Sequence, residues 1–148
     1  MKKNHLNQIT NIICLTIIAL IVVSCDSRQE KLINATKQSA DADDIRKAVA
    51  PLFIKYHYDP NSQADTDVPM KDIPEVIKSL PLFTFLPKKD IFIDASWVDT
   101  NNNVLMFASG GGFGHWGIAV CKDENDRELD SAHSYTYWKK GIYFYNGP

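Results

Sequence analysis

Cysteine is scarce in this chain: Cys14, Cys25 and Cys121 are the only three in 148 residues. No two of them have Cys-x-x-Cys spacing, and no two of His5, His57, His115 and His133 fall at His-x-x-x-His. No metal site and no cofactor are therefore expected. The acidic stretch "DPNSQADTDVPM" opens like a calcium loop at Asp59 and Asn61. It then has Gln63, Ala64 and Met70 where an acidic ligand, a glycine and a closing glutamate belong. Basic charge is also in deficit, with 16 Lys and Arg against 18 Asp and Glu and no basic stripe. Nucleic acid is not an expected partner. A membrane-spanning run is missing too: Ile12–Val23 has twelve uncharged residues, whereas a spanning helix needs roughly 20.

That run has the length of a signal-peptide core and follows Lys2, Lys3 and His5. It ends in "VVSC", Val22 to Cys25, which resembles the lipobox of bacterial lipoprotein precursors with Val22 in place of the commoner leucine. The resemblance covers about the first 26 residues. It implies cleavage between Ser24 and Cys25 and an acylated Cys25 at the mature N-terminus. Each buried acyl CH₂ contributes roughly 0.8 kcal/mol, so several chains would hold the protein at the bilayer without a spanning helix. The expected location is the bacterial cell membrane, lipid-anchored, with the domain on the periplasmic or extracytoplasmic side. Loss of Lys2 and Lys3 would leave 14 basic against 18 acidic residues, a net charge of −4. Cys14 would leave with the signal, so Cys121 would be the one remaining thiol and no internal disulfide could form. Three segments are expected: a signal peptide over 1–24, the lipidated cysteine and a flexible tether over 25–40, and one globular domain over 41–148. The tether reading rests on the polar, non-aromatic "DSRQEKLINATKQSA".

Within the domain, Ile45, Ala48, Val49, Leu52, Phe53 and Tyr56 recur at helical spacing behind Asp41, Asp43 and Asp44, with Pro51 expected to kink the helix. A shorter helix is expected over 74–80, capped by Asp72. The period then alternates. Ile91, Ile93, Ala95 and Trp97 share one strand face, "DTNNN" is a turn, and strands follow near 104–109, 116–121, 134–138 and 142–146. "KKG" suits a type I turn with a bulge. The fold class expected is α+β, an N-terminal helix and a short helix packed on an antiparallel β-meander of about five strands.

"ASGGGFGHWGIAVC", residues 108–121, is the richest cluster. It lacks the lysine and the following helix of a phosphate loop. "HWGIAV" resembles the histidine strand of papain-like cell-wall peptidases and related acyltransferases. The resemblance implies a small thiol hydrolase or acyltransferase using Cys121 with His115 or His133. On one strand, however, His115 and Cys121 would stand roughly 20 Å apart, against the roughly 3 Å that nucleophile and base require. The cluster is therefore read as a hairpin whose glycines permit positive φ, tipped by aromatic residues as a recognition loop. Gly111, Gly112, Phe113, His115 and Trp116 are its candidate binding residues. Tyr135 and Tyr137, on one face of a later strand, form a second candidate surface, with Tyr143 and Tyr145 on one face of the next. The expectation is a non-catalytic binding domain. Its partner would be an envelope protein or a toxin-like protein, in an inhibitor-like role, with a cell-wall glycan as another ligand.

Overall fold

A computed structural model describes residues 29–58, 67–85, 90–91, 93, 95–99, 101–110, 115–127, 129, 132 and 134–147. Residues 1–24, expected to form a signal peptide, and Cys25, Gly111, Gly112, Phe113 and His133 lie outside them. The chain divides into two compact units, 1–32 and 33–148. Of the first, residues 29–32 are described and are helical.

The second unit is α+β. Its first helix, α1, covers 33–39, inside the stretch that composition presents as a tether. Thr36 is fully buried there, and its hydroxyl accepts the Leu82 N–H at 3.2 Å. Burial through a satisfied threonine leaves no apolar period in the sequence. Helix α2, Ala42–Lys55, begins as its acids imply: Asp41 is the cap, and its carboxylate accepts the Asp43 and Asp44 N–H groups at 2.7 and 3.4 Å. Ile45, Val49, Leu52 and Phe53 form the buried stripe. Pro51 lies on the exposed side and the helix continues past it to Lys55. A 3₁₀ turn, Met70–Asp72, leads to the short α3, Glu75–Lys78. Asp72 does not cap α3. Its carboxylate takes the Tyr56 hydroxyl and the Lys55 ammonium instead, and Pro74 stands at the cap position without a side-chain bond.

Among the described residues seven strands follow: β1 Thr84–Phe85, β2 Asp90–Ile91, β3 Ala95–Val98, β4 Val104–Gly110, β5 His115–Cys121, β6 Tyr135–Lys139 and β7 Ile142–Gly147. The expected continuous strand through Ile91, Ile93, Ala95 and Trp97 is divided. Ile91 pairs with Thr84 in a separate two-stranded ribbon, and the buried positions of β3 are Ser96 and Val98. The main sheet is five-stranded and antiparallel, in the order β3-β4-β5-β7-β6. Strands β3 to β5 form a meander, while the last hairpin is set in reversed order. Strand β6 lies at the edge, and a tight turn returns β7 beside β5. That turn has two residues, Lys140 at φ 50° and Gly141 at φ 67°, so it is of the mirror-image hairpin type rather than the expected type I turn. The register irregularity falls between Tyr137 and Lys139. Asn102 takes φ 59° in the β3–β4 turn, where Asp99 accepts the Asn103 and Val104 N–H groups.

One sheet face carries Leu105, Phe107, Ile118, Val120, Ile142 and Phe144, all buried. On this side Lys37 of α1 lies over the Phe144 ring. The opposite face carries Val104, Met106, Ala119, Cys121 and Tyr143, flanked by Trp97, Leu129, Tyr135 and Tyr145. Arg46 ties α2 to the sheet's end. Its guanidinium donates to the Cys121, Lys140 and Lys122 carbonyls at 2.9, 2.8 and 2.9 Å. Three carbonyls left over where strands end thus receive a charged donor.

Candidate functional site

The glycine cluster is bracketed by a hairpin. Strands β4 and β5 pair from Val104↔Cys121 to Gly110↔His115, and β5 starts directly after the cluster. Alternation along β5 places neighbours on opposite faces. Trp116 points to the helix side, where its indole Nε1 donates to the Leu82 carbonyl at 3.3 Å. His115 is exposed on the other face. The two side chains expected to act together in the loop are therefore separated by the sheet, with Trp116 engaged in the packing beneath it.

His115 instead shares its face with the tyrosines. Register sets Gly117, Tyr145 and Tyr135 in one cross-strand row, and Ala119, Tyr143 and Tyr137 in the next. Tyr135 and Tyr145 have ring centroids 5.1 Å apart, and Tyr137 and Tyr143 are 5.3 Å apart, edge-on. Tyr143 is fully buried and donates to the Asp126 carbonyl at 3.2 Å. The Tyr135 hydroxyl donates to the Met106 sulfur at 3.7 Å, and burial pushes the Tyr135 phenol above its ordinary pKa, with Tyr145, Asp99 and Cys121 adding to the effect. Gly147, the cross-strand partner of His115, has no side chain because the Tyr145 ring occupies that space; a Cβ there would collide with the phenol. The Tyr145 hydroxyl is thereby brought into the row that holds His115.

Tyr137 is the exposed member, at 37%. Arg127 lies over it, its guanidinium carbon 3.9 Å from the ring centroid, and Nη2 donates to the Tyr137 hydroxyl at 2.7 Å. Nothing in the sequence pattern singles out Arg127. It sits in the charged run "KDENDRELD", which reads as a solvated connection, and only the approach of Asp126 and Arg127 to Tyr143 and Tyr137 brings it to the sheet.

Cys121 lies at the far end of β5 from His115, fully buried among apolar side chains. Six positions of extended strand separate it from the imidazole, roughly 20 Å. A hydrogen-bonded thiol–imidazole pair between these two is excluded. A cleft of about 240 Å³ lies beside β3, lined by Asp67, Val68, Met70, Ile93, Ala95 and Ser96. Among the described residues no group of three or more His, Cys, Asp or Glu is placed to hold a metal. No described helix is long and apolar enough to cross a membrane.

In comparisons with protein-family models, characterised proteins and solved structures, nothing matches the chain.

Proposed function

We propose that the protein is a lipid-anchored bacterial envelope lipoprotein whose domain binds a partner protein and performs no chemistry on it. Cys25 is the anchoring residue, and the domain faces the periplasmic or extracytoplasmic side. The observation that carries the binding reading is the tyrosine-bearing edge of the sheet. Tyr135, Tyr137, Tyr143 and Tyr145 share one face, Tyr137 is exposed, and Arg127 is laid over it. Aromatic rings and arginine are the side chains enriched where partner proteins dock, because they supply large contact area at small entropic cost. The burial of Cys121 and its distance from His115 favour this reading over a thiol hydrolase. A glycan platform is disfavoured, because the Tyr137 ring is already covered by a guanidinium.

The test is site-specific cross-linking in intact cells of the source organism. A photoreactive side chain at Tyr137 in the full-length lipoprotein should give a discrete protein adduct. The same group at Lys47, on the exposed side of α2, should give none. No adduct from Tyr137, or equal adducts from both positions, would refute the proposal.

A further inference from the structure

The chain enters the domain at one end of the main sheet. Thr36 of α1 and Trp116 of β5 meet on one residue: the Thr36 hydroxyl accepts the Leu82 N–H at 3.2 Å, and the Trp116 indole donates to the Leu82 carbonyl at 3.3 Å. One residue on, the Lys37 ammonium lies 5.3 Å from the Phe144 ring centroid, and Phe144 pairs with Ile118, two positions further along β5. By Arg46 the chain has reached the other end, where the guanidinium holds the Cys121, Lys122 and Lys140 carbonyls. The path from Thr36 to Arg46 therefore follows β5 from Trp116 to Cys121, and α1 starts at the His115 end.

The two ends differ in charge. The last two rows of the main sheet at the His115 end, Gly110–His115–Gly147 and Ser109–Trp116–Asn146, contain no carboxylate. At the Cys121 end Asp99 closes the β3–β4 turn, Asp41, Asp43 and Asp44 stand at the start of α2, and Asp123 and Glu124 lie against Gly141. These acids outnumber Arg46, Lys122, Lys139 and Lys140, the described cations of the same end.

The connection to the anchoring cysteine is short. Eight positions separate Cys25 from Ile33, and residues 29–32 are helical. Four residues at full extension and four at helical rise reach about 20 Å. Strands β4 and β5 have seven residues each, which makes the sheet roughly 20 Å tall. A lipid on Cys25 thus lies within about one sheet height of the start of α1. To set the Cys121 end on the bilayer, the connection would have to run the whole height of the domain. It would also bring the carboxylates of that end to anionic headgroups, which repel them.

We infer that this short connection holds the His115 end of the sheet against the bilayer surface, with the carboxylate-bearing Cys121 end turned to the aqueous side. The inference rests on the lipid anchoring proposed above and names the surface that meets the lipid. The strands then rise from the membrane, and the Tyr137 edge faces sideways, within reach of a partner held in the same membrane.

The experiment uses the full-length lipoprotein reconstituted in vesicles of phosphatidylethanolamine and phosphatidylglycerol. A photoreactive side chain is placed in turn at His115 and Asn146, exposed at one end, and at Lys122 and Glu124, exposed at the other. Lipid adducts are counted by mass, and thermal melting reports that each variant is folded. His115 and Asn146 should give lipid adducts at least about tenfold more often than Lys122 and Glu124. About twenty Gly/Ser residues inserted after Ser27 add a reach of roughly 25 Å and should bring the ratio to within about twofold. Equal adducts from the two ends, adducts from neither, or an unchanged ratio after the insertion would overturn the inference. Lipid mass on Cys25 together with equal adducts would refute this inference alone; absence of lipid from Cys25 would refute the anchoring itself.

Discussion

Arg127 and Tyr137 come from different segments and meet at the sheet edge, guanidinium over ring at 3.9 Å with a 2.7 Å hydrogen bond to the phenol. Both are exposed, so the contact should matter more for recognition than for folding. Exposed cation–π pairs contribute about 0.5–1 kcal/mol. Arg127→Met should therefore lower stability by about 1 kcal/mol or less in denaturant titration, while sharply reducing the partner adduct at Tyr137. A loss above about 3 kcal/mol would make Arg127 a structural residue.

Arg46 has the opposite profile. Its three carbonyl partners lie on β5, on the β6–β7 turn and just beyond Cys121. Arg46→Met removes the donor and leaves these acceptors behind, so a loss of about 2–4 kcal/mol is expected. Thermal denaturation measures it, and a change below about 0.5 kcal/mol would show that water replaces the guanidinium.

Gly147 is required by Tyr145. Gly147→Ala should displace the phenol and weaken the Tyr135–Tyr145 contact, which is worth about 0.5–1.5 kcal/mol. On a Tyr145→Ala background the same substitution should cost almost nothing. Equal costs in both backgrounds would mean that the backbone, not the ring, demands glycine.

Acid should loosen the end of α2. The Tyr56 hydroxyl, and then the Lys55 ammonium, hold the Asp72 carboxyl below its ordinary value of 3.8. The Asp43 and then the Asp44 N–H groups do the same for the Asp41 cap. A carboxylate depressed in the folded state stabilises fully above its unfolded pKa, and that contribution is lost as pH falls through the folded value. Stability should thus be flat in these two groups above about pH 5 and decline below 3.8. Asp72→Asn and Asp41→Asn should each flatten the decline while lowering stability at neutral pH. An unchanged slope in both variants would contradict the assignment.

Much of this architecture was legible in the residues. The buried stripe of α2, the acids at its N-terminus, the β4–β5 hairpin around the glycines and the shared tyrosine face all follow from periodicity and turn chemistry. What was not legible depends on long-range contacts. Thr36 of α1 is buried with its hydroxyl on the Leu82 N–H, Asp72 is drawn from capping by Tyr56 and Lys55, and β7 lies between β5 and the edge strand β6. The candidate site was half legible for the same reason. Strand parity sets Tyr135 with Tyr137 and Tyr143 with Tyr145, but the β5–β7 pairing that adds His115, the Trp116–Leu82 bond and the Arg127 stack join segments distant in the chain.

The separation of thiol and imidazole on β5 underlies the choice of binding over catalysis, and reactivity of Cys121 tests it most directly. With Cys14 and Cys25 replaced by serine, the folded chain should leave Cys121 unmodified by a colorimetric thiol reagent at neutral pH and release one equivalent only in denaturant. Rapid stoichiometric modification of the folded protein, with a rate that rises on deprotonation of a histidine, would contradict the account.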